Sequence, residues 1–289
     1  GTKGGGILIS SIPLNNNASA YNNIQFNIFQ HNPNDKLSLS NNFVYSVLQD
    51  SKNNIWIGTY GGGINRVISH NAKELKCKHI TAENSNLSNN HVRYLFEDSH
   101  SRLWIATTFG LNLMEKYTSD NDSLIFRIFL FDPQNANSIS YNDIIHIYED
   151  SHNRLWFGTF GGGLNQLTSL NKSSAIFSHY RQRDGLSNDA VFAILEDARG
   201  VIWVSTEKGI SALNVMDNSI KSYNINSGLY SENFNENTCC KLKDGKLLFG
   251  SINGTLVINP DQIVNANYTP PLVFTGFHLF NKPVDFRDP

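Results

Sequence analysis

The feature that most limits what this chain can fold into is an internal repeat of about 50 residues anchored on tryptophan. The segments LSLSNNFVYSVLQDSKNNIWIGTYGGGINRV, SNLSNNHVRYLFEDSHSRLWIATTFGLNLM, NSISYNDIIHIYEDSHNRLWFGTFGGGLNQL and DGLSNDAVFAILEDARGVIWVSTEKGISAL align on Trp56, Trp104, Trp156 and Trp203. Successive tryptophans lie 48, 52 and 47 residues apart. A fifth unit, KLKDGKLLFGSINGTLVINP, puts Leu248 in the tryptophan column, 45 residues after Trp203. At the N-terminus GTKGGGILI matches GTYGGGINR at Gly58–Arg66, so the chain is expected to open midway through a repeat.

Each unit alternates short apolar runs with turn residues. In the first complete unit the expected strands are A (Phe43–Asp50), B (Ile55–Thr59), C (Gly63–Val67) and D (Leu75–Ile80). Strand A is apolar at almost every residue over Val191–Leu195, the mark of a strand covered on both faces. Strand D is more polar, as an outer edge should be. Asp-led turns (DSKNN, DSHSR, DSHNR, DARG) join A to B, with side chains able to bond their own backbone. Glycines after strand B, in GTYGGG and GTFGGG, allow the positive φ needed where B turns into C. Four antiparallel strands at this period predict an all-β fold, a β-propeller of four-stranded blades. One such sheet cannot bury both faces alone, so blades must pack side by side, with the Trp and the Val/Ile/Leu columns filling the layers between them. No long stretch of helical period is present, which excludes a helical solenoid.

Composition narrows the function. A net charge of −2 offers no broad attraction to a phosphate backbone, so nucleic acid is not an expected partner. No apolar run reaches the length that crosses a bilayer, and GTKGGGILIS lacks the character of a signal peptide, so any export signal or membrane anchor is expected outside this sequence. Cys77, Cys239 and Cys240 have no metal-type spacing and read as ordinary core or surface residues. There is no G-x-S-x-G, H-E-x-x-H, Walker or Rossmann motif, and the glycines of GTYGGG open a strand rather than a helix. No catalytic residue, metal ligand or cofactor is predicted. The Asp of each turn lacks D-x-D-x-D-G spacing, and His100 and His152 occupy equivalent A–B turns, where solvated turn residues are the expectation.

The string L-S-N-N-x-V, an apolar run ending in E-D, then L-W-I-G-T and G-G-G-L resembles the two-component regulator propeller repeat. It stands here at Leu39–Val44, Glu97–Asp98, Leu155–Thr159 and Gly161–Leu164, and the resemblance covers residues 1 to about 260. The stretch from GLYSENFNENTCC through YTPPLVFTGFHLFNKPV resembles the passage from such a propeller into an immunoglobulin-like (Y_Y_Y) domain. The resemblance therefore implies a propeller over 1–262 and, over 263–289, a linker and first immunoglobulin-like strand at Thr269–Val284. About five and a half blades of an expected seven would be present. Relatives of this kind are the periplasmic sensors of Bacteroides-type hybrid two-component regulators, anchored in the inner membrane. They commonly respond to polysaccharide breakdown products. The resemblance implies a non-catalytic sensor module, an oligosaccharide ligand and a homodimer formed through the periplasmic region. The alternatives are a propeller enzyme acting on carbohydrate and a scaffold propeller with no ligand of its own. Departures include Leu248 for Trp, ATTFGLN in the second unit and STEKGIS in the fourth, so a ring of identical binding residues is not expected.

Because antiparallel strands alternate direction, D–A and B–C loops share one rim, and A–B and C–D loops share the other. The D–A loops carry Asn90 and His91, Asn142 and Asp143, and Asn188 and Asp189. Tyr60, Phe109 and Phe160 come from the B–C loops, and Arg93 lies just inside a strand A. Amides and carboxylates beside aromatic faces suit a sugar, whose hydroxyls need donors and acceptors while its C–H face stacks on rings. Arg93 would meet a carboxylate or sulfate on an acidic sugar. Ordinary turn chemistry is the competing account of the Asn positions, because they recur in every unit whereas a ligand would meet only some blades.

Overall fold

A computed structural model describes residues 1–10, 24–71, 73–117, 124–172, 174–231 and 233–263, and two short strands beyond them. The first sheet pairs β1 (Ile7–Ser10) with β2 (Phe26–Phe29). Four four-stranded antiparallel sheets follow, each in sequential order. Blade 1 is β3 (Val44–Gln49), β4 (Ile55–Thr59), β5 (Gly63–His70) and β6 (Leu75–Ile80). Blade 2 is β7 (Val92–Glu97), β8 (Leu103–Thr107), β9 (Gly110–Tyr117) and β10 (Leu124–Phe129). In blade 3, β11 (Ile144–Glu149), β12 (Leu155–Thr159), β13 (Leu164–Leu170) and β14 (Ala175–Tyr180) take the same places. Blade 4 is β15 (Val191–Glu196), β16 (Val201–Thr206), β17 (Gly209–Asn214) and β18 (Ser219–Tyr223). Among the described residues blade 5 has three strands, β19 (Phe234–Lys241), β20 (Leu247–Ser251) and β21 (Gly254–Ile258). The first strands of successive blades, β3, β7, β11, β15 and β19, lie against one another, so they form the inner wall of a β-propeller. Among the described residues no helix is long and apolar enough to cross a membrane.

The expected strands A to D correspond to these elements, with strand C running three residues further, to His70. Most of the tail read as the start of an immunoglobulin-like domain lies outside the described residues; within it β22 (His278–Leu279) pairs with β23 (Lys282–Pro283).

Each tryptophan faces the next blade. Trp104 and Phe129 of blade 2 pack with Ile144, Ile147, Leu155 and Phe157 of blade 3, and Trp156 of blade 3 packs with Val191, Ile194, Ile202 and Val204 of blade 4. Burying an aromatic side chain of this size contributes about 3 kcal/mol. The indole N–H would be orphaned in such a layer, and an Asp six residues earlier removes the problem. Asp50, Asp98, Asp150 and Asp197 each accept the Nε1–H of their blade's tryptophan at 2.7–3.1 Å. The same carboxylates accept backbone N–H groups of their own turns, as Asp150 does from His152 and Arg154. Gly158 marks a close approach between blades, since a Cβ there would lie 2.8 Å from the Val191 carbonyl oxygen of the next blade.

The Glu before each Asp links neighbours. Glu97, Glu149 and Glu196 accept both the backbone N–H and the hydroxyl of Ser51, Ser99 and Ser151 in the preceding blade, at 2.7–2.8 Å. By register, Lys241 and Ala198 replace this Glu and Ser at the seam of blades 4 and 5. There Arg199 donates instead to the Pro260 carbonyl at 3.3 Å. Inside blades 1 to 3, Asn65, Asn112 and Asn165 are fully buried and accept the N–H of Ser40, Ser88 and Ser140 while donating to the hydroxyl of the same serine. These bonds tie the D–A loop to strand C.

Candidate functional site

The rim that carries the D–A and B–C loops is assembled by backbone hydrogen bonds between blades. Gly61 and Gly63 donate to the Asn90 carbonyl at 3.0 and 2.9 Å, Gly110 to Asn142 at 2.7 Å, and Gly163 to Asp189 at 2.8 Å. Gly63 has φ 69°, and a Cβ there would sit 2.3 Å from the Ile80 carbonyl oxygen, so the turn requires glycine. These contacts place the B–C loop of one blade against the D–A loop of the next, with Tyr60 bridged to His91 and Phe160 to Ala190.

The Asn and Asp pairs of the D–A loops serve the chain itself. Asn90 Oδ1 accepts from Ala82 N, Asn142 Oδ1 from Phe131 N and Asp189 Oδ1 from Gln182 N, at 2.6–2.7 Å. Asn188 Oδ1 accepts from Ala190 N two residues on, at 2.7 Å. In these four the side-chain oxygens take the place of backbone partners that the loops lack. Phe109 is exposed on the rim and joins no described contact with the group that follows.

Five candidates converge: Tyr60, His91, Arg93, Asp143 and Phe160. Arg93 Nε and Nη2 meet the two oxygens of Asp143 at 2.6 and 2.8 Å, a bidentate pair. The guanidinium lies 5.9 Å from the Tyr60 ring centroid and 5.8 Å from that of Phe160, within cation–π range of both. Tyr60 stacks on Tyr45 at 5.1 Å and takes the His91 ring edge-on at 4.3 Å. Phe160 leans on Phe192 and leaves 47% of its surface exposed.

The remaining edge of Arg93 is taken by Glu236 of β19, whose Oε2 lies 2.9 Å from Nη1. The Arg93 side chain is only 10% exposed. Burial would lower its pKa, but the Asp143 hydrogen bond and both carboxylate charges outweigh that and raise it above the ordinary value, so the charge is permanent. In the structure the Arg93 donors face two of the protein's own carboxylates. Glu236 was not among the expected site residues. The signal available was the length of FNENTCCK, which holds more residues before its blade turn than the other inner strands.

Next along the inner wall, the Tyr94 and His146 rings lie 4.6 Å apart, and Cys239 Sγ is 3.9 Å from His146 Nε2. Burial pushes the His146 imidazole down to about 3 and the Cys239 thiol up to about 12; it does the same to the Tyr94 phenol, with a smaller contribution from Cys239. All three are neutral at physiological pH, and a neutral thiol beside a neutral imidazole is a poor nucleophile.

On the opposite rim Asp150, His152 and Glu196 bring donor atoms within 4.8 Å of one another. Asp150 already accepts from the Trp156 indole and from Arg154 Nε at 2.7 and 2.6 Å, and Glu196 from Ser151. The grouping follows from the repeat, which places His152 between two carboxylates engaged in blade structure.

Four segments, 38–61, 86–109, 138–161 and 185–208, match the model of the family described as Two component regulator propeller. Each runs from the D–A loop through strands A and B of blades 1 to 4. "Histidine kinase P4" of Formosa agariphila is 28% identical over 244 residues, which make up 83% of this chain and 17% of that protein. The extracellular domain of the hybrid two component system BT3049 from B. thetaiotaomicron is 26% identical, with a TM-score of 0.66 over 91% of this chain and 37% of that one. The chain thus spans well under half the length of either. A streptogramin B lyase structure shares the fold alone, at 16% identity and a TM-score of 0.55 over 80% of this chain and 68% of the lyase.

Proposed function

The chain is a two component regulator propeller, and on that premise we propose that it is the non-catalytic, extracytoplasmic sensor module of a two-component signalling protein that responds to polysaccharide-derived oligosaccharides. The observation that carries the reading is the similarity, across 91% of this chain, to the extracellular domain of a hybrid two component system. In the proposed setting the propeller faces the periplasm, the membrane anchor lies elsewhere in the protein, and the signal passes as a change in the arrangement of a homodimer. A ligand biases such an arrangement only by binding its two states unequally.

The rim chemistry supports binding over catalysis. Tyr60 and Phe160 present rings of the kind that take sugar C–H faces, beside a fixed cation and two carboxylates. Hydrolysis or elimination needs an acid or base free to exchange a proton with substrate. Both carboxylates at Arg93 are engaged by it, and His146 is buried and neutral.

Titration calorimetry of the chain against neutral and acidic oligosaccharide pools, with chromatography of the recovered sugar, tests the proposal. Binding with the sugar recovered intact, and weakened by Phe160→Ala, is the expected result. Shortened sugar would establish an enzyme instead, and no binding in any pool would leave the propeller as a scaffold.

A further inference from the structure

Blade 5 carries an irregularity that the other inner strands lack. In β3, β7, β11 and β15 a single extra residue interrupts the pairing with the second strand. In β19 the register jumps from Phe234 opposite Ser251 to Cys239 opposite Phe249, so Asn235, Glu236, Asn237 and Thr238 stand against Gly250 alone. This wide bulge reaches the inner strand of blade 2. Glu236 takes Arg93 Nη1 at 2.9 Å, and Asn237 Nδ2 donates to the Arg93 carbonyl at 3.4 Å. Asn237 sits at φ 57°, in the left-handed region, and its buried Oδ1 has no hydrogen-bond partner among the described residues. A strap that leaves a buried acceptor unsatisfied holds its position at a cost.

We propose that Glu236 stands in for a ligand's carboxylate: the Nη1 edge of Arg93 is a recognition site for a uronic-acid-containing oligosaccharide, covered by the strap Asn235–Thr238 until the ligand displaces it. The proposal rests on the sensor reading and names its ligand class and switching element. Asp143 holds Nε and Nη2 together, so the guanidinium keeps its orientation when its third edge changes partner. Exchanging one carboxylate for another leaves the local charge unchanged, and no buried charge is stranded. Phe160, half exposed beside the guanidinium, offers its face to the pyranose ring whose carboxylate takes Nη1. A neutral sugar has no group to replace Glu236. Release of the strap frees β19, so occupancy at blade 2 is felt in blade 5.

A covered site binds more weakly by the fraction of time it is open. Removing the charge of Glu236 deletes one charge-assisted hydrogen bond from the covered state, which corresponds to about tenfold in affinity. The test titrates the chain and its Glu236→Gln variant with trigalacturonate, and with galactotriose as the neutral control. Glu236→Ala serves as a second variant, and unchanged circular dichroism establishes that both fold. Trigalacturonate is expected to bind both variants about tenfold more tightly than the unaltered chain, with galactotriose unaffected. Equal or weaker trigalacturonate binding by both variants, or no binding to any of the three, would overturn the proposal. Galactotriose binding that ignores Glu236, without trigalacturonate binding, would overturn it while leaving the sensor reading intact. Cleavage of trigalacturonate would overturn both.

Discussion

At the scale of single residues, the fold depends on carboxylates placed against the groups that a tryptophan layer would otherwise strand. Asp150 satisfies the Trp156 indole, two backbone N–H groups and Arg154 at once. Asp150→Ala leaves all of these unpaired and is expected to lower stability by about 3 kcal/mol, whereas Asp150→Asn, which keeps one acceptor oxygen, should cost about half as much. Calorimetric unfolding of both variants checks the ratio. Burial alone would raise the Asp50, Asp150 and Asp197 carboxyls, but the indole and backbone donors outweigh it and hold them below the usual 3.8. Their contribution is therefore complete above pH 3.8 and is lost as pH falls through their lowered values. His146 acts in a different window. Its neutral form is enforced by burial, with the pKa near 3 against 6.5 when unfolded, so the unfolded chain binds the extra proton and stability declines as pH falls from 6.5 towards 3. Burial also lowers His179, which adds a smaller slope of the same sign. Denaturant melts between pH 7 and 4 should show this decline, and His146→Phe should flatten most of it; an unchanged slope would place the titration elsewhere.

At the scale of elements, the repeat was legible because strands with period 2, Asp-led turns and glycine turns are all local signals. Strands A to D, the shared rim of the D–A and B–C loops, and the turn role of the Asp side chains were all readable from single units. The binding and turn accounts of Asn90, Asn142, Asn188 and Asp189 were not separable by sequence, since both ask for a polar residue before a strand. The structure adds the turn role, as bonds to Ala82, Phe131, Gln182 and Ala190. Glu236 was hidden for another reason: it lies 143 residues from Arg93, and no local pattern couples positions that only the ring brings together. The Glu–Ser links between blades are likewise long-range, at separations of 45 to 50 residues. Glu149→Ala removes two acceptors from Ser99 and should cost about 1–2 kcal/mol. Among the described residues the side chain of Gln49, at the same position in blade 1, bonds only within its own turn, and Gln49→Ala should stay within about 0.5 kcal/mol. A shift in unfolding temperature for the first and none for the second would establish the link as an inter-blade contact.

At the scale of the whole molecule, two apolar blade faces are incompletely covered by the described residues. Val47 is 47% exposed, while its counterparts Leu95, Ile147 and Ile194 are at most 3% exposed; among the described residues the sheet beside blade 1 contains β1 and β2 alone. At the other end Val257 is 54% exposed, and Leu248 replaces the tryptophan that elsewhere faces a following blade. Among the described residues, a groove of about 380 Å³ lined by Trp203, Tyr223, Leu256 and Ile263 lies beside blade 5. Apolar edges of this kind drive association. Sedimentation velocity of this 289-residue chain is expected to show concentration-dependent self-association, reduced by Val47→Lys or Val257→Lys; a monomer at every concentration would refute it. The larger claim is that this molecule binds a sugar at the Arg93 rim without transforming it, and hydrogen–deuterium exchange with and without an acidic oligosaccharide pool tests that most directly. The account predicts altered exchange at Tyr60, at the start of β7, at Phe160 and along β19, with the sugar's mass distribution unchanged; unaltered exchange across this rim, or a shortened sugar, would contradict it.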